Sequence, residues 1–416
     1  MKNQELFDGC LVISPLDDLN AATIDMPPTA GVCLFANAKN QPILLLCGAN
    51  LRTLVRRRLH QDAAAEKTRR TPLRPIVERI WFRRSYSAFE TQWAYYNAAA
   101  AVYPDRFAEF FPRLDAWFIT VNPDDKYPCF NQTSQLNISS PSKNDGVPST
   151  SRRPLYWGPF SAKKSATRFL DTLQNLFDLC RHPHLLAQAP HAAGCPYAQM
   201  NRCAAVCNGS VNLDHYRKII QKTIDFLNHP IARGIDALEK QMKKSAADLQ
   251  FETAQNLKEK LSQAQKLLSA DFQWIAPLDQ FYLLLFQSGP KYKIPRRRAA
   301  LPTVTPFIIS PDRITQIEPF LLEQAHDAAR ITLDHLNLIQ MQKKPPHRQN
   351  LAWIARFLYR KSQDQGLLTT AADAQNHDEL AQKIVQHFTR PKINNKKPKL
   401  DTLSLTSPEK NELPEN

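Results

Sequence analysis

The stretch ALEKQMKKSAADLQFETAQNLKEKLSQAQ, residues 237–265, decides the fold of the centre of the chain. It lies in a proline-free run, residues 231–270, whose apolar residues recur at steps of three and four, the spacing of an amphipathic helix. The sequence therefore predicts two helices joined near Leu249 to Glu252. The small residues Ala246 and Ala254 would let these helices approach each other closely.

The charge of the chain points to a polyanion as partner. Lys and Arg number 54 against 39 Asp and Glu, which gives a formal charge of +15 and a pI near 9.4. A solvated basic surface is the alternative, but the basic residues concentrate between Arg52 and Arg84, which favours the polyanionic partner. The N-terminus lacks a secretory apolar stretch, and the apolar runs are too short for a bilayer. We therefore expect a cytoplasmic protein with a polyanionic partner and without a membrane as partner.

Four of the eight cysteines lie close together in the sequence: Cys180, Cys195, Cys203 and Cys207. Four thiolates could enclose one tetrahedral zinc ion or a four-iron, four-sulfur cluster, since both take four sulfur ligands. Only the last pair comes near the short spacing that is usual for structural zinc, so the unequal loops favour the larger cluster. The other alternative is that some of these thiols pack in a core, as free cysteine often does.

The alternation of patterns predicts an α+β protein of several domains. Apolar runs of strand length alternate with helical stretches in the first part, and a Ser-, Asn- and Pro-rich stretch follows it. The predicted segments are an α/β domain at 1–130, a flexible linker at 131–153, a cysteine-rich helical region at 154–230, the helical hairpin at 231–270, strands and then helices at 271–390, and a disordered tail at 391–416.

The cysteine-rich region resembles a segment of the UvrC family, the incision subunit of bacterial nucleotide excision repair. Gly158-Pro159-Phe160-Ser161, a basic amphipathic helix and then CPYAQMNRCAAVC, residues 195–207, match that segment in order. The resemblance implies a four-iron, four-sulfur cluster on Cys180, Cys195, Cys203 and Cys207. Zinc on the same thiolates stays open as the alternative.

The hairpin resembles the UVR motif of the same family. That motif has the pattern L-x-x-x-M-x-x-x-A-x-x-L-x-F-E-x-A, and in UvrC it pairs with a matching hairpin of the UvrB helicase. The resemblance implies that the hairpin docks a UvrB-type helicase. The residues expected to contact this partner are Leu238, Met242, Ala246, Leu249, Phe251, Glu252, Ala254, Leu257 and Leu261.

The N-terminal part resembles the GIY-YIG nuclease domain of UvrC through three segments: Gly31 to Phe35, Pro42 to Arg52 and Asp124 to Pro128. The nuclease needs tyrosines, an arginine and a metal-binding glutamate, and each is replaced here. The eroded positions are Cys33, Leu44, Leu54 and Tyr95. We therefore expect no catalytic residue and no catalytic Mg²⁺.

These features together predict a UvrC-like repair protein that binds DNA and a UvrB-type helicase without cutting. One alternative is an active structure-specific endonuclease with a rearranged site. Another is an iron–sulfur or zinc adaptor that regulates repair without touching DNA. The residues expected to contact DNA are Arg52, Arg56, Arg57, Arg58, Lys163, Lys164 and Arg168.

Overall fold

The computed structural model describes residues 5–14, 16–60, 72–137, 154–200, 202–293, 295, 299–360 and 366–389. Three antiparallel sheets with covering helices organise this part of the chain, which confirms the predicted α+β class. Within these ranges, no helix combines the length and the apolar character needed to cross a membrane. The predicted tail and most of the predicted linker lie outside the described residues.

The first sheet has the strand order β1-β4-β2-β3 and carries a helix on each face. Its elements are β1 Gly9–Val12, α1 Leu19–Ala22, β2 Ala30–Ala36, β3 Pro42–Gly48, α2 Leu51–His60, β4 Arg79–Ser85, α3 Ala88–Val102 and α4 Phe107–Phe110. Successive side chains of strand β2 point to opposite faces of the sheet, and because a helix covers each face, both sets are buried. Cys33 and Phe35 pack with α2, whereas Val32 and Leu34 pack with α3.

The second sheet has the order β6-β5-β7-β8 and supports the middle of the chain. Its elements and helices are β5 Trp117–Val121, β6 Asn131–Thr133, β7 Leu155–Phe160, α5 Lys163–Leu176, α6 Pro183–Leu186, α7 Pro196–Gln199, α8 Leu213–Leu227, α9 Ile231–Ala247, α10 Phe251–Gln265 and β8 Ala276–Pro277. Phe169 of α5 anchors the helices, since its ring lies 5.2 Å from that of Phe160 and 5.1 Å from that of Phe272. The pairing of β5 with β7 joins segments on either side of the predicted linker.

The third sheet has the order β11-β10-β9-β13, and β12 also pairs with β10. Its elements and helices are β9 Leu283–Ser288, β10 Thr303–Ile309, β11 Ile314–Gln316, β12 Phe320–Leu321, α11 Ala325–Gln342, α12 Arg348–Leu358, β13 Leu367–Thr370 and α13 His377–Thr389. Strand β9 is buried on both faces. Leu284 and Phe286 pack with α11 and α13, whereas Leu283 and Leu285 pack with α12.

An aromatic cluster joins the third sheet to the first. Phe89 of α3 is 3% exposed, and its ring lies 5.0 Å from Phe307, 5.4 Å from Trp353 and 4.7 Å from Phe357. These centroid distances are typical of favourable edge-to-face ring contacts. Helix α3 is therefore covered by its own sheet on one side and by the C-terminal region on the other.

Candidate functional site

The four positions at which the sequence predicts an eroded nuclease site lie within apolar cores of the first sheet. Cys33, Leu44 and Leu54 pack in the core that α2 covers, and Tyr95 packs in the core that α3 covers. Burial raises the pKa of Cys33 and of Tyr95, and it raises the pKa of Cys47 beside them to about 11. These groups are consequently uncharged near neutral pH and offer no anionic ligand.

Glu90, the nearest carboxylate in the sequence to Tyr95, caps helix α3. Its backbone N–H donates to Ser87 Oγ at 3.1 Å, and its Oε2 accepts the N–H of Tyr86 at 2.7 Å. Burial raises the pKa of Glu90, although the hydrogen bond from Tyr86 and the charge of Arg83 act against it. These two hydrogen bonds give Glu90 a structural role, which is to cap the start of α3.

The predicted DNA contacts on α2 differ in what they already bind. Arg52 donates through Nε to Met26 O at 2.8 Å, and Arg56 donates through Nε to Thr23 Oγ1 at 2.7 Å. These two guanidinium groups hold the loop before β2, whereas Arg57 is exposed. Arg58 on the same helix is partly buried. Lys67, Arg69 and Arg70, which belong to the same basic cluster of the sequence, lie outside the described residues.

The predicted DNA contacts on α5 lie at its first turns. Lys163 places Nζ 5.3 Å from the centre of the Trp117 ring, and Lys164 is exposed. Arg168 forms an ion pair with Asp271 at 2.5 Å. The two lysines are therefore more available to a ligand than the arginine.

The structure corrects the predicted cysteine cluster. Cys180, Cys195 and Cys207 are buried free thiols, and Cys203 is a partly buried one. Burial and, to a lesser extent, the neighbouring thiols raise the pKa of Cys180 to about 11. The Cys180 thiol donates to His182 O at 3.6 Å. In the described ranges, no three His, Cys, Asp or Glu side chains are placed to hold a metal ion, so the predicted four-iron cluster and its zinc alternative are wrong.

Two residues that the sequence did not single out hold the cysteine loop. Arg181 donates to Gln174 Oε1 at 3.1 Å and lies 4.4 Å from the centre of the Tyr197 ring. Cys129 donates through its thiol to Cys180 O at 3.5 Å, and burial raises its pKa to about 12. Neither residue has a spacing signal, because both act through contacts between distant or irregular segments.

Helices α9 and α10 form a hairpin, and its two ends differ in exposure. Leu238, Met242 and Leu261 pack against the core beneath α5. Leu249, which has φ 60° in the turn, and Phe251 are 72% and 68% exposed. The other residues predicted to contact a partner are exposed or partly buried: Ala246, Glu252, Ala254 and Leu257.

Comparison with known proteins identifies the segment that runs from the loop after β5 to α8. Residues 127–226 match the middle domain of the UvrC/Cho excinucleases. This segment of the chain is similar to the UvrC family. The matched residues contain β7, α5, the cysteine loop and α8, so the core of the second sheet is the part that carries the UvrC relationship.

Curated relatives of the UvrC family support the same conclusion. The chain is 31% identical to UvrABC system protein C of Ruminiclostridium cellulolyticum over 164 residues, which are 38% of this chain and 24% of that protein. It is 29% identical to the Moorella thermoacetica protein over 151 residues, 36% and 24% of the two chains. Identity to the Caldicellulosiruptor saccharolyticus protein is 23% over 251 residues, 59% and 39%. The chain thus spans about a quarter to two fifths of the length of these relatives, and no solved structure matches it.

Proposed function

We propose that this chain acts in nucleotide excision repair by binding DNA and by docking a UvrB-type helicase through the tip of the α9–α10 hairpin. The observation that carries the proposal is the exposure of Leu249 and Phe251 beside each other at that tip. Large apolar side chains that remain exposed together support a protein contact, because burying them on a partner stabilises the complex.

The packing of the hairpin fits such a partner. Its base is fixed by Leu238 and Leu261 in the core beneath α5, and Lys260 forms an ion pair with Asp178 at 2.9 Å. The base of the hairpin is therefore fixed by packing and by an ion pair, and the tip extends away from it without packing on the described chain. A second helical hairpin could cover the exposed faces and complete a four-helix bundle.

We further propose that residues 1–130 form a GIY-YIG-like domain that no longer cuts DNA. The support is chemical: Cys33 and Tyr95 are buried and protonated, Leu44 cannot transfer a proton, and Glu90 is engaged in capping. Helix α12 also covers the outer side of α3. The N-terminal domain would then serve as a DNA-binding platform.

The docking proposal is tested with the full chain and a purified UvrB-type helicase. Each apolar side chain at the tip still has about 70% of its surface to bury, so the double variant Leu249→Ser/Phe251→Ser should lose about 2–4 kcal/mol of binding free energy, or at least about thirtyfold in Kd. The matched control is Leu338→Ser/Met341→Ser, which changes two exposed apolar residues of α11. Equal affinities of the tip and control variants would refute the docking surface.

The loss of cutting is tested separately on damaged duplex DNA with Mg²⁺ or Mn²⁺, in the presence of the helicase. The full chain should nick no faster than a no-protein control. Metal-dependent nicking that Arg56→Ala or Glu90→Ala abolishes would show an active, rearranged nuclease and would overturn this part of the proposal.

A further inference from the structure

A cavity of about 360 Å³ lies where the N-terminal, middle and C-terminal parts of the chain meet. Arg113 and Asp115 line it from the loop before β5, and Ser161 lines it from the junction of β7 and α5. Arg356 and Tyr359 line it from the last turn of α12. None of these residues belongs to the sites described above.

The cavity carries two available guanidinium groups. Arg113 and Arg356 are exposed, and within the described part of the chain neither takes part in an ion pair or a hydrogen bond through its side chain. Asp115 also lines the cavity, but it binds Arg348 at 2.9 Å, which offsets its charge. Arg113 has φ 58°, a conformation that glycine adopts more readily, so the turn itself does not require an arginine.

The start of α5 adds to the positive character of this place. The helix has 14 residues, its N-cap Ala162 supplies no side-chain cap, and its first turn contains Lys163 and Lys164 but no acid. The free N–H groups at such a helix start favour an anion. They begin directly after Ser161, which lines the cavity.

A buried hydroxyl at the cavity is also short of a partner. The Tyr359 hydroxyl lies near the backbone of Trp274 but forms no hydrogen bond of ordinary geometry. Burial raises the pKa of Tyr359, so the group keeps its proton and can act only as a neutral donor or acceptor.

We propose that this cavity binds one phosphate group of a nucleic-acid backbone. Arginine forks match phosphate oxygens in a bidentate geometry, and the start of α5 supplies backbone donors beside them. The exposed Lys164 extends the positive surface beyond the cavity, which suits a chain of phosphates. The inference rests on the proposed DNA binding and names the place where one contact is made.

The test measures binding of a fluorescent DNA duplex to the full chain over a series of salt concentrations. Each lost phosphate contact lowers the salt slope by about one, so Arg113→Gln/Arg356→Gln, which removes the contact to a single phosphate, should reduce it by about one and weaken binding by about tenfold at low salt. The control Arg233→Gln/Arg330→Gln removes two exposed arginines of α9 and α11 and should leave the slope unchanged. A slope that is the same in the cavity variant and the wild type would overturn the inference.

A second arm separates failure of the cavity from failure of DNA binding. If the wild-type chain bound no duplex, the proposed function would fail, and inorganic phosphate would then probe the cavity through its effect on Tm. Phosphate that raised the Tm of the wild type and the control, but not of the cavity variant, would assign the cavity to a free phosphorylated ligand and overturn the nucleic-acid inference. Phosphate with equal effects on all three proteins would overturn the anion site altogether.

Discussion

Replacing Phe89 with alanine tests whether the aromatic cluster joins the N-terminal and C-terminal parts of the chain. The side chain is 3% exposed and contacts the rings of Phe307, Trp353 and Phe357. A buried Phe→Ala change removes about 3–5 kcal/mol, and three ring contacts place this site in the upper part of that range. The variant should therefore lose about 4–5 kcal/mol, a large share of the total stability of an ordinary domain.

The measurement is equilibrium unfolding in urea, followed by tryptophan fluorescence, since Trp353 lies beside the altered ring. The transition reported by fluorescence should move to lower urea, and circular dichroism will show whether the middle of the chain unfolds separately. Phe251→Ala is the matched control, because the same atoms are removed from a side chain that is 68% exposed, and it should stay within about 0.5 kcal/mol of the wild type. A loss below about 1 kcal/mol for Phe89→Ala would refute the assignment of the cluster as a core.

Two further predictions concern pH and the arginines of α2. Burial raises the pKa of Cys180 to about 11 and that of Cys129 to about 12. The stability that the two neutral thiols contribute is therefore fully present below the ordinary thiol pKa. It is lost as the pH rises towards 11–12. Urea unfolding at stepped pH should show this decline, and a Cys129→Ala/Cys180→Ala variant that declined as steeply would contradict it. Arg56→Gln should lower the free energy of unfolding by about 1–2 kcal/mol, because its hydrogen bond to Thr23 is lost, and it should leave DNA affinity unchanged. Arg57→Gln should do the reverse: it should reduce the salt slope of DNA binding and leave the free energy of unfolding unchanged.

Helices with a strong apolar period could be predicted from the sequence to within a residue or two. The hairpin predicted over 231–270, with its two helices joined near Leu249 to Glu252, contains α9 and α10. In each case the spacing of apolar residues matches the face that the structure buries. Local periodicity is sufficient there because each helix packs on a neighbouring surface of matching shape.

Elements whose partners are distant in sequence were harder to predict. Strand β13 follows helices α11 and α12 in the chain, but it pairs with β9, which precedes both helices. Strand β7 was not recognised, since its partner β5 lies across the linker. Pairing across such separations leaves no repeat in the local sequence.

The candidate sites show the same limit. The spacing of the cysteines measures separation along the chain, but it does not report that Cys180 is buried with its thiol directed to a backbone carbonyl. The proposed phosphate site could not have been found from the sequence, because Arg113, Ser161 and Arg356 are brought together only by the tertiary fold. The turn of the hairpin, by contrast, could be predicted near Leu249 to Glu252, because the apolar periodicity of its two helices is continuous in sequence.

Strand β5 contributes neighbouring side chains to two different cores, and this has a consequence for biosynthesis. Phe118 packs with residues of β9, β10 and α12, whereas Ile119 packs with the helices that follow β7. A ribosome adds about 5–20 residues per second, so roughly ten seconds or more pass between the synthesis of Phe118 and that of strands β9 and β10, which cover it. During translation the nascent chain must carry this apolar side chain uncovered, and protection by chaperones would matter most in that interval.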